Sequence, residues 1–151
     1  MVTAISRTRT IAAEPQAIWD TLADFGAISS WVDNIDHSCV LHSGNGEGPI
    51  GTTRRIQIGR NTVVERIVDI DAPTALAYDI EGLPRQMGNV RNSWQVRTLA
   101  PGSTAVTLTT SVEIGSRPAQ KLAERVFGRV LARQSDAVLD GLVKRLEGSR
   151  G

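Results

Sequence analysis

The sequence predicts an α+β domain in which a curved, seven-stranded antiparallel sheet wraps around a long terminal helix. Three observations carry that expectation. Six segments between residues 36 and 114 alternate with a period of two, and every gap between them holds Gly, Pro or Asn. A strand and two short helical patterns precede them, and a long one-sided helix follows.

Residues 2–11 are rich in Thr, Val and Ile, with Arg7 and Arg9 on one side of the alternation, which reads as a strand with one wet face. Pro15 then stands at a first-turn position, and Ile18, Trp19, Leu22, Ala23 and Phe25 recur at spacings of three and four, predicting about three helical turns ended by Gly26. Residues 28–32 read as a second short helix or turn that carries Trp31 toward the interior. The six strands are placed at His37 to His42, Thr52 to Ile58, Thr62 to Ile70, Ala75 to Ile80, Val90 to Leu99 and Thr104 to Ile114. Short links make them an antiparallel meander. From Pro118 to Leu146, apolar residues recur on one face over roughly 43 Å of helix. Such a helix needs a sheet to lie across, and a strongly curved sheet stands off from it along part of its length. That hollow is where a ligand site is expected.

Composition bounds the function. The chain has 151 residues and near-balanced charge, with 17 Lys plus Arg against 16 Asp plus Glu, so neither a disordered tail nor a strongly basic nucleic-acid binder is indicated. One domain spanning residues 1–151 is expected, with no linker or internal repeat. Cys39 is the single cysteine and has no internal disulfide partner. No apolar run reaches the roughly eighteen residues of a membrane span, and the N-terminus lacks a secretory pattern, so a cytoplasmic location is expected. Fifteen of the basic residues are Arg, against only Lys121 and Lys144, a bias read as genome composition.

These residues together resemble the START-like superfamily, also called SRPBCC, within its polyketide cyclase/dehydrase-like and lipid-binding branches. The likeness rests on Glu14 to Asp20 leading into Leu22 to Phe25, on Trp31, and on the glycine-rich turn Gly44 to Gly51. It continues through Glu65 to Asp69, Tyr78 to Gly82, and Ser93-Trp94. It implies a helix-grip fold with a deep cavity for a hydrophobic ligand. Similarity to the plant abscisic-acid receptors of that superfamily puts His37 where those receptors have a lysine for the ligand carboxylate. The same register gives Glu65, Tyr78, Asn92, Phe127, Leu131 and Ser135 pocket-facing positions. The turn Gly59-Arg60-Asn61 is too short for the receptors' gate, so hormone gating is not implied.

His37 and Cys39 alternate to one strand face and His42 to the other, so the three do not converge on a metal, and no cofactor is expected. His37 reads either as a donor or proton carrier on the cavity side, or as a satisfied histidine at the strand mouth. Glu65 shares a face with Val63 and Ile67, and a carboxyl group there needs a cation or hydrogen-bond donor beside it. Its role is either to orient a ligand hydroxyl or to act as a general base. Val90, Asn92 and Trp94 share a face, giving an amide beside a broad apolar wall. With Trp31, Tyr78, Met87 and Phe127, Trp94 is expected to line a mouth suited to flat hydrophobic ligands. The glycine cluster from Gly44 to Gly51 leads into a strand rather than a helix, which excludes a dinucleotide loop.

The expected partner is therefore a hydrophobic small molecule, lipid or polyketide-like aromatic, and the chain a monomer or homodimer. The alternatives are a polyketide cyclase or aromatase using His37 and Glu65, and a regulatory module. The last rests on a basic stripe of Arg117, Lys121, Arg125, Arg129 and Arg133, which reads as a solvated face or a peripheral contact with anionic membrane.

Overall fold

The structure, a computed structural model, describes the backbone of residues 2–43, 49–81, 89–113 and 118–148, and their side chains apart from residues 2, 3, 43 and 118–131. Seven strands, β1 (Val2–Ile11), β2 (His37–Ser43), β3 (Thr52–Ile58), β4 (Asn61–Asp71), β5 (Ala75–Glu81), β6 (Asn89–Ala100) and β7 (Ser103–Glu113), form one antiparallel sheet in the order β1-β7-β6-β5-β4-β3-β2. Helix α1 (Pro15–Ala23) and a 3₁₀ helix, Phe25–Ser30, lie between β1 and β2, and α2 (Pro118–Gly148) closes the chain. Each strand from β2 to β7 pairs with its sequence neighbour, as short links dictate, and β1 pairs along its whole length with β7. The arrangement is the helix grip.

The alternation in each strand decides what faces α2. Ile11, Ile56, Ile67, Leu76, Tyr78, Trp94, Val96, Val106 and Leu108 point inward with Ile18, Trp19, Leu22, Phe25, Leu139 and Leu142, and together they make the core. Arg7 and Arg9 belong to this inward set, because they stand opposite buried Leu108 and Val106. They are half-buried and reach Asp136 and Asp140 of α2 at 3.1–3.7 Å. The wet face of β1 is the other one, where the Ser6 and Thr8 hydroxyls pair with Thr109 and Thr107.

Two glycines set how closely elements approach. Gly141 lies against the Trp31 carbonyl, so closely that a Cβ there would collide with main-chain atoms of Trp31 and Val32. This seats the second half of α2 on the segment after the 3₁₀ helix. Gly26 does not end α1 as the periodicity suggests, since the helix gives way at Asp24 and Gly26 continues into the 3₁₀ turn. Its role is again proximity, because a Cβ would stand 2.8 Å from the Val40 methyl on β2.

Candidate functional site

The inward face carries a row of polar side chains that crosses five strands, β3 to β7, and ends on α2. Its first part is charged. Arg54, on β3, shares a face with Ile56 and Ile58 and is only 2% exposed. Its cross-strand partner is Glu65 of β4. Arg54 Nε and Nη2 both donate to Glu65 Oε1, at 2.8 and 2.6 Å, and Nη1 donates to the Phe25 carbonyl at 2.9 Å. The guanidinium also lies over the rings of Phe25, at 3.8 Å, and Tyr78, at 4.8 Å. The edge of one ring meets the face of the other with centroids 5.4 Å apart. Arg54 therefore ties the start of the 3₁₀ helix to the sheet interior while neutralising Glu65, and every nitrogen of its fork is engaged.

The second part is neutral. Tyr78, Asn92 and Thr110 stand directly opposite one another on β5, β6 and β7. Trp94 Nε1 donates to the Tyr78 hydroxyl at 3.1 Å, Thr110 Oγ1 donates to Asn92 Oδ1 at 2.6 Å, and Ser135 of α2 lies 3.4 Å from Thr110 Oγ1. Burial, and then the charge of Glu65, push the Tyr78 phenol above the ordinary tyrosine value, against the opposing pull of Arg54, Trp94 and Asn92. Tyr78 is consequently protonated at neutral pH. Asn92 differs from its neighbours along β6: Val90 and Trp94 on the same face are each 2% exposed, whereas Asn92 keeps accessible surface.

The candidates from the sequence separate accordingly. Glu65, Tyr78, Asn92, Trp94 and Ser135 lie along this face. Trp31 is buried beside α2, and its indole N–H has no hydrogen-bond partner among the described residues. Met87 and the side chains of Phe127 and Leu131 lie outside the described residues, as do the side chains of the basic stripe except Arg133, which is exposed. His37 is corrected: it is exposed and paired with Gln57, on the face of β2 opposite to Ser38. Ser38 faces inward, hydrogen-bonded to the Gly26 carbonyl and Ser29. His37 and Glu65 thus lie on opposite sides of the sheet and do not form an acid–base pair. A bulge between Val40 and His42 also places His42 opposite Thr53, on the same face as Cys39 and His37, so simple alternation fails at that point. Among the described residues no group of three His, Cys, Asp or Glu side chains is arranged to hold a metal. No helix among them is long and apolar enough to cross a membrane.

Sequence reasoning missed Arg54. The signal was present, because the alternation Arg54, Ile56, Ile58 sets this arginine on an apolar face, where only a buried counter-ion makes it tolerable. A cleft of about 820 Å³ away from the polar row runs between Asp33-Asn34 and α2 from Ala137 to Gly148.

Sheet, helix and inward polar row define a START-like protein of the helix-grip class. The chain belongs to the family described as polyketide cyclase / dehydrase and lipid transport, which it matches over residues 2–147. It is similar to the crystal structure of the Zhui aromatase/cyclase from a Streptomyces species, at 21% identity and a TM-score of 0.81, over 97% of this chain and 94% of that one. It is also similar to a START superfamily protein from Mycobacterium smegmatis, at 17% identity and a TM-score of 0.73, over 96% and 97% of the two chains. At these identities the likeness is one of fold. No curated protein matches the sequence.

Proposed function

We propose that the protein binds a hydrophobic small molecule, a lipid or a polyketide-like aromatic, between the middle of the sheet and α2. The observation that carries this reading is Asn92, an inward polar side chain that keeps accessible surface between two fully buried neighbours on its own face. Space beside it fits the packing of α2, whose close backbone approach to the sheet is concentrated on β1 and then β7, at one side of the polar row. The wall around that space is apolar, with Trp94, Val90 and Val112 on adjoining strands. Membership of a family that includes lipid transport agrees with it.

Catalysis by His37 and Glu65 is not supported by this geometry. Glu65 Oε1 is occupied by two nitrogens of the buried Arg54, and His37 is on the wrong side of the sheet. Native mass spectrometry of the purified protein, with extraction of any bound molecule, tests the reading. An apolar adduct that leaves on denaturation is expected. Absence of any adduct, together with no uptake of apolar probes, contradicts it.

A further inference from the structure

The row divides into hydrogen-bonding capacity that is used and capacity that is not. Asn92 Oδ1 is taken by the Thr110 hydroxyl, which orients the amide so that its Nδ2 donors point elsewhere. One of its N–H groups is directed at the Tyr78 hydroxyl oxygen, the contact that pulls against the raised phenol, and the other has no acceptor among the described residues. The Tyr78 oxygen accepts from Trp94 and from Asn92, and its own O–H has no acceptor among the described residues. Tyr78 and Asn92 are direct cross-strand partners, so their Cβ atoms stand about 5 Å apart on the same face. The remaining Asn92 N–H and the Tyr78 O–H are therefore adjacent hydrogens without an acceptor among the described residues, beside the surface that Asn92 keeps accessible.

A ligand placed there must supply the acceptor. It is not called on to supply a negative charge, because Arg54, the buried cation among the described residues, is fully engaged by Glu65 and the Phe25 carbonyl. We infer that the Asn92 amide N–H, with the Tyr78 hydroxyl beside it, holds an acceptor oxygen of a neutral ligand, such as a ketone, ester or quinone carbonyl. This inference rests on the proposed ligand-binding reading and names the ligand class that reading leaves open.

The test uses three rings of similar shape, namely fluorene, 9-fluorenone and fluorene-9-carboxylate, titrated at pH 7 into the full chain and followed by tryptophan quenching. The expected order is fluorenone bound at least tenfold tighter than fluorene, with the carboxylate weakest. Asn92→Asp keeps the acceptor for Thr110 and removes the donors, and is expected to abolish the preference for fluorenone over fluorene. Tyr78→Phe, a second variant that changes shape very little, is expected to reduce that preference about fivefold. Equal binding of fluorene and fluorenone to the wild type, or equal losses for both in the variants, overturns the inference while leaving a hydrophobic site standing. Preference for the carboxylate overturns its neutral-ligand part. No binding of any of the three overturns the ligand-binding reading as well.

Discussion

The two halves of the inward polar row are built to opposite rules. In the Arg54–Glu65 half, formal charges are buried, and each of the three guanidinium nitrogens has a partner inside the protein. In the Tyr78–Asn92–Thr110–Ser135 half nothing is charged, the contacts are single hydrogen bonds, and one Asn92 N–H and the Tyr78 O–H are left without an acceptor among the described residues. A saturated pair holds structure, since taking away one member strands the other in the core. An unsaturated neutral network does little for stability and leaves chemistry free to meet a ligand. Mutations in the first half should therefore act on folding, and mutations in the second half on binding.

The contrast breaks most visibly at Arg54. Arg54→Met leaves Glu65 buried without its cation and is expected to cost about 3–5 kcal/mol in urea unfolding. The double change Arg54→Met with Glu65→Leu should recover most of that loss, because an apolar pair of similar volume avoids the stranded charge. A double variant no more stable than Arg54→Met would show that the tether to Phe25, rather than charge pairing, is the dominant contribution. Next comes Gly141→Ala, outside the row, where the added methyl must push α2 away from the Trp31 carbonyl. A loss of about 2–3 kcal/mol is expected, and a thermal midpoint equal to the wild type would contradict the close approach.

The neutral half should respond more weakly. Thr110→Val removes a single donor to Asn92 and is expected to cost about 1 kcal/mol. Tyr78 adds a pH dependence. Its phenol is held above the unfolded value of 10.0, so the folded state favours the protonated form. The resulting stabilisation is complete below pH 10 and is lost as pH rises through the higher, folded value, where the unfolded chain binds fewer protons. Urea midpoints should thus fall more steeply above pH 10 in the wild type than in Tyr78→Phe. At the surface, Asp136→Asn loosens the link from Arg7 and Arg9 to α2, and a change of under about 1 kcal/mol is expected because these groups are substantially exposed.

Much of the fold was legible because strand and helix periods are local properties. Pro15 opens α1, the meander follows from short links, and the long helix follows from its apolar face. Alternation also put Glu65 with Ile67, and Asn92 with Val90 and Trp94. What alternation lacks is the sign of each face. It divides β1 into Arg7-Arg9 and Ser6-Thr8 sets, but the acids that draw the arginines toward α2 stand more than a hundred residues away. His37 was set on the wrong face for a similar reason, since the contact that turns Ser38 inward comes from the 3₁₀ helix. His42 was displaced by a bulge, which shifts the period without any Gly or Pro to announce it. Arg54 was readable in parity but went unnoticed, because its burial makes sense only beside Glu65 on the next strand.

Tyr78 is the chain's single tyrosine, so phenolate absorbance near 295 nm reports its ionisation alone. Titrating the protein with and without saturating fluorenone is the most direct test that the neutral half of the row is the ligand contact. A midpoint above 10.0 in the free protein is expected, moving higher still when a carbonyl oxygen accepts the phenolic hydrogen. An ordinary tyrosine midpoint, or one that bound fluorenone leaves unmoved, would contradict the account.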